Sequence, residues 1–551
     1  MKKRIISLLM VTAMIAALLS GCQTSKNSME TDNGAGETKE VTVDGQSAEN
    51  VAETAESTDE TKKEVKTGGT LKIGTGQSPT VIGYTPEITN NSFIQYLRCS
   101  FDSLLFYDED GNLAPELAEK WETDSDKATI TFHLRQGVKF QDGTDFNAEA
   151  VKWNMEEYQT AKRTEVSSIE SIECPDDYTV VLQLGAWSSS ALESIGYFVY
   201  YMSPTAVKDN GGAEWARINA VGTGPYIEKS FEQGVSVKYE KNPNYWEEGK
   251  PYLDGIEFSI ISDATTLENS LVSGEIDMIS YASIDQMHNN YLNSNSSFTI
   301  EQNSNGIGVE STGIIPSSAK EDDPFYNDKV RQAFCYAIDA DNIVNALGYG
   351  LLTRTNQWAA PNAKTYNPEV KGYTYDPDKA KSLLTEAGYA DGFDTTLWCP
   401  TGSDNWAAAI ADNLNAVGIR AKVEIVDAAK AFDLMSNGWE GIFFHWASIG
   451  PDLGLYMGRH LDPNGAYYSK GIKHPQDCLD LLTAIRTAKD DESKLSTEME
   501  LQKKIYDDYA LFGLPLYITP VAAIKQAYVM DDNYTKYHVA SWTPARTWLD
   551  K

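Results

Sequence analysis

Between Gln23 and Thr67 the chain contains no Phe, Trp or Tyr, and after Gly68-Gly69 all three become frequent. That break decides which part of the chain can fold. The first stretch is rich in Glu, Thr, Ser, Asn and Lys, as in Glu53-Thr54-Ala55-Glu56-Ser57-Thr58-Asp59-Glu60. Such a composition buries too little apolar area to offset chain entropy, so residues 22–67 are expected to form a disordered acidic linker. A flexible chain of about 45 residues has a root-mean-square span of about 35–40 Å, more if its charges repel. The body that follows, 68–551, is too long for one ordinary core, and two or three lobes are expected.

Ahead of the linker, Lys2, Lys3 and Arg4 precede an apolar run from Ile5 to Leu19 and then small residues. These are the parts of a secretory signal, residues 1–21. The run is shorter than the about 20 residues a membrane span needs. Leu19-Ser20-Gly21-Cys22 resembles a bacterial lipobox, in which the cysteine is lipidated and becomes the new N-terminus. An ordinary cleaved signal with an incidental cysteine is the alternative. The expectation is an extracytoplasmic protein with a lipid at Cys22. It would sit on the outer face of the cytoplasmic membrane in a single-membrane cell, and on the periplasmic side otherwise.

The formal net charge is −34, from 46 Lys and Arg against 80 Asp and Glu. Phosphate binding needs clustered cations, so nucleic acid is excluded as a partner. Cys99, Cys174, Cys335, Cys399 and Cys478 are far apart with no Cys-x-x-Cys spacing. They read as mostly buried free thiols, with neither a disulfide framework nor a metal cluster. No cofactor is expected.

Periodicity predicts α/β lobes. Thr129 to Leu134 alternates, with Ile130, Phe132 and Leu134 on one face, and reads as a strand. Asn147 is placed to cap a helix carrying Ala148, Val151, Met155 and Tyr158 on one side. Tyr178 to Leu184, Val235 to Glu240 and Ile256 to Ile261 read as further strands. Asp376-Pro377 opens a helix that Gly388 stops, and Ala407 to Val417 is a helix stopped by Gly418.

The segment Thr131-Phe132-His133-Leu134-Arg135-Gln136-Gly137-Val138-Lys139-Phe140-Gln141-Asp142-Gly143, with Asn147-Ala148-Glu149-Ala150-Val151 behind it, resembles the signature of the family 5 solute-binding proteins. These are the oligopeptide-, dipeptide- and nickel-binding components of bacterial ABC importers. Further pieces fall in the family's order. They are Leu113 to Trp121, Val221-Gly222-Thr223-Gly224-Pro225-Tyr226, Asn242-Pro243-Asn244-Tyr245-Trp246, Gly274 to Met278, Lys329 to Phe334 and Tyr375 to Tyr389. The resemblance covers about residues 68 to 551. It implies a bilobal periplasmic-binding-protein-like fold (type II, cluster C, three domains) with a hinge between lobes. Lobe 1 is discontinuous, 68–98, 222–311 and 516–551, with an extra domain at 99–221; lobe 2 is 312–515. It further implies a monomer that captures a small-molecule or oligopeptide ligand in the cleft and delivers it to ABC permease subunits.

The resemblance places the ligand near Gln77 to Thr85 and around Phe443 to Met457. In the peptide binders the second loop carries Trp with an Asp three residues later, and that Asp holds the peptide ammonium. Here Trp446 is followed three residues on by Ile449, then by Gly450-Pro451-Asp452. An apolar Ile cannot pair an ammonium, so the anchor is absent or displaced to Asp452. Asp452 also reads as a plain turn residue. The ligand-binding candidates are Tyr84, Trp398, Trp406, Trp446, Asp452 and Tyr456, with Trp439, Trp542 and Asn405 in reserve. Aromatic faces with amides would also suit an oligosaccharide. His445 and His460 flank the loop and would suit a metal chelate, or are two unrelated polar residues. Gly-x-Ser-x-Gly, His-Glu-x-x-His and Walker motifs are missing, so an enzyme is not expected; a glycosidase-type carboxylate pair and a ligand sensor are the readings from other classes.

Overall fold

The computed structural model describes residues 63–551, apart from 90–92, 109–111, 303–309, 451, 464, 466, 520–521, 531–541 and 543. Cys22, the signal segment and the linker up to residue 62 lie outside the described residues.

A seven-stranded sheet is built around Thr70–Thr75, which pairs in parallel with Gly255–Ile260 on one side and Met278–Ser280 on the other. Ser236–Lys241 and Tyr226–Glu232 extend the first side antiparallel; Ala522–Gln526 and Phe298–Gln302 extend the second. Leu71 and Ile73 are fully buried in the central strand. Gly74 has no alternative there: a Cβ would stand 2.4 Å from Ile276 Cδ1 and 2.6 Å from Leu267 Cδ1, where the Ala264–Val272 helix packs down.

A second, four-stranded antiparallel sheet runs in the order Ala118–Asp124, Thr129–Leu134, Thr179–Leu184, Ile169–Asp176. The alternation read from the sequence is realised, with Ile130, Phe132 and Leu134 facing the core. Helix Ala148–Thr160 covers that core with Val151, Met155 and Tyr158, and Asn147 Oδ1 accepts from Ala150 N at 3.0 Å as its cap. The cap satisfies one of the donors that every helix start leaves without an intrahelical partner. Gly222 and Gly224 carry the chain out of this module against Ser100 and Phe101. A Cβ would meet Ser100 O at 2.2 Å in one case and Ser100 C at 2.4 Å in the other.

The third large sheet is six-stranded, in the order Thr353–Arg354, Leu514–Thr519, Glu310–Pro316, Ile442–Ser448, Phe393–Pro400, Ile419–Val426. The chain enters it from the first sheet between Gln302 and Glu310 and leaves between Thr519 and Ala522. Helix Asp404–Val417 ends on Gly418 in the left-handed region at φ 98°, and Asp376 caps Pro377–Glu386 through Lys379 N. Both ends lie where Pro, Asp and Gly placed them, because caps are satisfied locally. The fold is thus the mixed α/β, bilobal periplasmic-binding-protein type. Cys99, Cys335, Cys399 and Cys478 are buried free thiols and Cys174 is a half-buried one. Among the described residues no helix is long and apolar enough to cross a membrane, and no three His, Cys, Asp or Glu side chains group as metal ligands.

Candidate functional site

Strand Ile442–Ser448 carries His445 and Trp446 next to each other, and the ring of Phe443 lies near both. Trp446 is half-buried, its ring 5.8 Å from Phe432 and 6.2 Å from Phe443. His445 turns into the core instead, with its ring 5.1 Å from His460 and 6.3 Å from Trp358. Burial drives His445 down to about 3 and His460 well below its ordinary value, so both rings are neutral. His445 Nε2 and Trp358 Nε1 have no hydrogen-bond partner there.

Ile449 is 2 % exposed, sealed in the same core. Asp452 follows as the N-cap of helix Leu453–Leu461, accepting from Leu455 N at 2.8 Å. Its second oxygen takes Lys494 Nζ at 2.5 Å, with Asp452 buried and Lys494 partly buried. Glu498 lies beside this pair and accepts from Gly454 N at 2.7 Å. Burial, then the charge of Asp452, pushes the Glu498 carboxyl up to about 8. Burial pulls Lys494 down, but Asp452 and Glu498 outweigh it, and the ammonium is held above its ordinary range.

The module carrying the four-stranded sheet meets the Gln476–Thr487 helix and the residues just after it. Ser189 Oγ donates to Ile485 O at 2.8 Å, Trp187 Nε1 to Ala488 O at 2.8 Å, and Lys489 Nζ to Asp126 Oδ1 at 2.5 Å. From the adjoining helix Ala191–Phe198, Glu193 reaches the field of Asp452, Lys494 and Glu498. Burial, then Asp452, raises its carboxyl to about 8. Tyr107 and Tyr197 pack at 4.5 Å, with the Arg98 guanidinium 5.8 Å from Tyr197 and 5.5 Å from Tyr200. Arg98 itself is buried and held by both oxygens of Glu116, at 2.8 and 2.9 Å. Tyr107 lies beside Glu193 and Tyr200 beside Arg98, yet the hydroxyls of Tyr107, Tyr197 and Tyr200 close no well-shaped hydrogen bond. A buried unmade hydrogen bond costs about 1–3 kcal/mol, so this phenol cluster is costly unless something polar meets it.

The sequence-predicted residues are therefore distributed unevenly. Asp452 and Tyr456 share the Glu193 region, where Tyr456 is buried with Arg459 4.9 Å from its ring. Tyr84 belongs to the buried cluster of Tyr107, Tyr197 and Tyr200, and its hydroxyl donates to Glu157 Oε2 at 2.6 Å. Trp398 is half-buried and donates to Glu440 O at 2.8 Å. Trp406 packs 4.7 Å from Tyr517 of the six-stranded sheet. Trp439 and Trp542 are core residues whose indole N–H groups donate to Ile315 O and Thr547 Oγ1. Asn405 is exposed. Glu193 and the tyrosines around it were missed in the sequence. The available signal was an acid isolated in the apolar helix Ala-Leu-Glu-Ser-Ile-Gly-Tyr-Phe.

Comparison with known proteins follows this geometry. Residues 112–468 match the family of bacterial extracellular solute-binding proteins, family 5 Middle. The chain belongs to that family. It is similar to the glutathione-binding protein GsiB of Pectobacterium atrosepticum, 31% identical over 77% of this chain and 84% of the relative. It is also similar to heme-binding protein A of Haemophilus influenzae, 29% identical over 62% of this chain and 66% of the relative. Among solved structures it resembles the periplasmic binding protein DppA of Helicobacter pylori in complex with the peptide STSA. The TM-score is 0.72 and identity 23%, over 88% of this chain and 99% of that one, a likeness of fold.

Proposed function

We propose that this protein is the extracytoplasmic receptor of an ABC importer, lipid-anchored through Cys22, and that it captures a peptide-like solute between two lobes for delivery to a permease. The lobes would be 68–98, 222–311 and 516–551 with 99–221 attached, against 312–515. Ligand binding would shift an open–closed equilibrium, since a solute touching both lobes favours the closed form. The observation that carries the reading is the family match together with two sheets joined by two chain crossings. A binding protein rather than an enzyme follows from the same match.

The relatives' names include glutathione and a peptide, which favours a peptide-like solute. With Ile449 buried and Asp452 engaged by Lys494, an ammonium would be received elsewhere than at the position the peptide binders use. Native mass spectrometry of the gently purified fragment Gly68–Lys551 tests the class. Retained masses differing by amino-acid residues support the peptide reading; hexose spacing would replace it with an oligosaccharide and a chelate mass with a metal complex.

A further inference from the structure

The Ala191–Phe198 helix carries Glu193 and Tyr197 four residues apart, so both project from one face. Ser190, at the helix start, adds a third polar group to that region. All three are buried, and Ser190 Oγ, Glu193 Oε1 and Tyr197 Oη lack hydrogen-bond partners. Tyr107, from a different element, lies against Glu193 with its hydroxyl closing no well-shaped hydrogen bond. Elsewhere the same interface is well satisfied: Ser189 and Trp187, one turn earlier, both donate to carbonyls of the facing helix. Along this interface the unsatisfied oxygens thus gather on the Glu193 face.

The chemistry of the face is uneven as well. Phenols and a hydroxyl can donate or accept, but the one ionisable group aimed into it is an acid. The only cation among the charged neighbours that act on Glu193 is Lys494, and Asp452 already holds it at 2.5 Å. The face thus offers a carboxyl group with phenol oxygens around it; the guanidiniums of Arg98 and Arg459 lie over the rings of Tyr197 and Tyr456, and Arg98 is already held by both oxygens of Glu116. It lies close to Asp452 and Tyr456, in the segment 443–457.

We infer that Glu193 receives the cationic, amine-bearing end of the solute, taking over the task that an acid at position 449 would perform. This inference rests on the peptide-like reading above and names the group that recognises the ligand's amine. Tyr107 and Tyr197 accept from the remaining ammonium hydrogens. Charge-assisted bonds of this kind are roughly twice as strong as neutral ones.

Binding is then linked to protons. The groups facing Glu193 are Tyr107, Asp452, Lys494 and Glu498, with Tyr197 and Tyr456 beyond them and the guanidiniums of Arg98 and Arg459 against those two rings. In the free protein Glu193 titrates near 8 and is protonated at pH 6.5. An ammonium at the site favours the carboxylate, so binding at pH 6.5 expels a proton, about one per ligand.

The test uses a tripeptide mixture with free N-termini and the same mixture N-acetylated. Each is dialysed against the fragment and the retained peptides are read by mass spectrometry. Free-amine peptides should be retained and acetylated ones lost. Glu193→Gln, which mimics the protonated side chain in shape, should weaken the best free-amine peptide by about 10- to 100-fold. Calorimetry of that peptide in two buffers of different ionisation enthalpy should count the released proton in the native protein. The variant should release none. Equal retention of acetylated peptides, or unchanged affinity in Glu193→Gln, overturns the assignment of Glu193 and leaves the peptide reading standing. Retention of neither mixture overturns the peptide reading and the assignment with it. The acetylation comparison and the proton count on the native protein need no variant, so a misfolded Glu193→Gln does not protect the inference.

Discussion

Replacing Lys494 by Met should be among the most damaging single changes near the candidate site. Lys494 Nζ sits 2.5 Å from Asp452 Oδ2, with side-chain exposures of 14% and 2%. Glu498 and Glu193 lie in the same field. Removing its ion-pair partner leaves Asp452 buried beside two further carboxyls. Breaking a buried ion pair by deleting one partner costs about 3–5 kcal/mol, and Met keeps the volume, so packing loss adds little. Asp452→Asn should cost less, about 1–3 kcal/mol, because the amide oxygen can still accept from Leu455 N and Lys494 keeps Glu498 nearby. The double variant should be milder than the sum of the two by about 1–3 kcal/mol, the signature of a shared interaction. Urea unfolding of Gly68–Lys551 followed by tryptophan fluorescence at pH 7.5 measures all four proteins. A Lys494→Met change within about 0.5 kcal/mol of native, or strict additivity in the double variant, would refute the reasoning, because surface pairs and uncoupled sites behave that way.

Glu193 and Glu498 have folded values near 8, raised above the unfolded carboxylate range. Their contribution is fully present below about pH 4.3 and is lost as pH rises to about 8, at up to about 1.4 kcal/mol per unit per group. Stability of the ligand-free fragment should therefore fall from pH 5.5 to pH 8, and Glu193→Gln should flatten that slope; a native slope of zero would remove the buried-acid assignment. Gly224→Ala drives a Cβ to within 2.6 Å of Phe101 N and 2.4 Å of Ser100 C, backbone atoms that cannot swing aside. It should cost at least the about 1–3 kcal/mol of overpacking, seen as a lowered melting temperature, and an unchanged one would contradict the packing described here. Cys22→Ala should release the full-length protein from membranes, with loss of metabolic lipid labelling; labelling that persists in the variant would sink the lipid-anchor proposal.

Local structure was readable wherever its cause is local. The strand Thr129–Leu134, the Asn147 and Asp376 caps and the Gly418 stop depend on residues within a few positions of each other, so their pattern is visible in a string. The family signature was readable for a related reason, since its pieces are turns and caps whose order survives without coordinates. Gly222 and Gly224 were visible as part of a family segment, but the backbone of Ser100 and Phe101 that they press against was not.

The sequence by itself determined the α/β class, the family and the absence of an acid at 449. Only the tertiary structure decided what the remaining polar groups do. Asp452 is held by Lys494 from 42 residues away, and His445 and His460 meet inside a core. Glu193 comes to the Asp452 cluster from a helix on a different module. A carboxylate exposed to water and one buried against three ionisable neighbours are spelled alike. The difference between them, a shift of several pH units and the search for a cation, arises from desolvation and field, which exist only once distant segments have closed around the group.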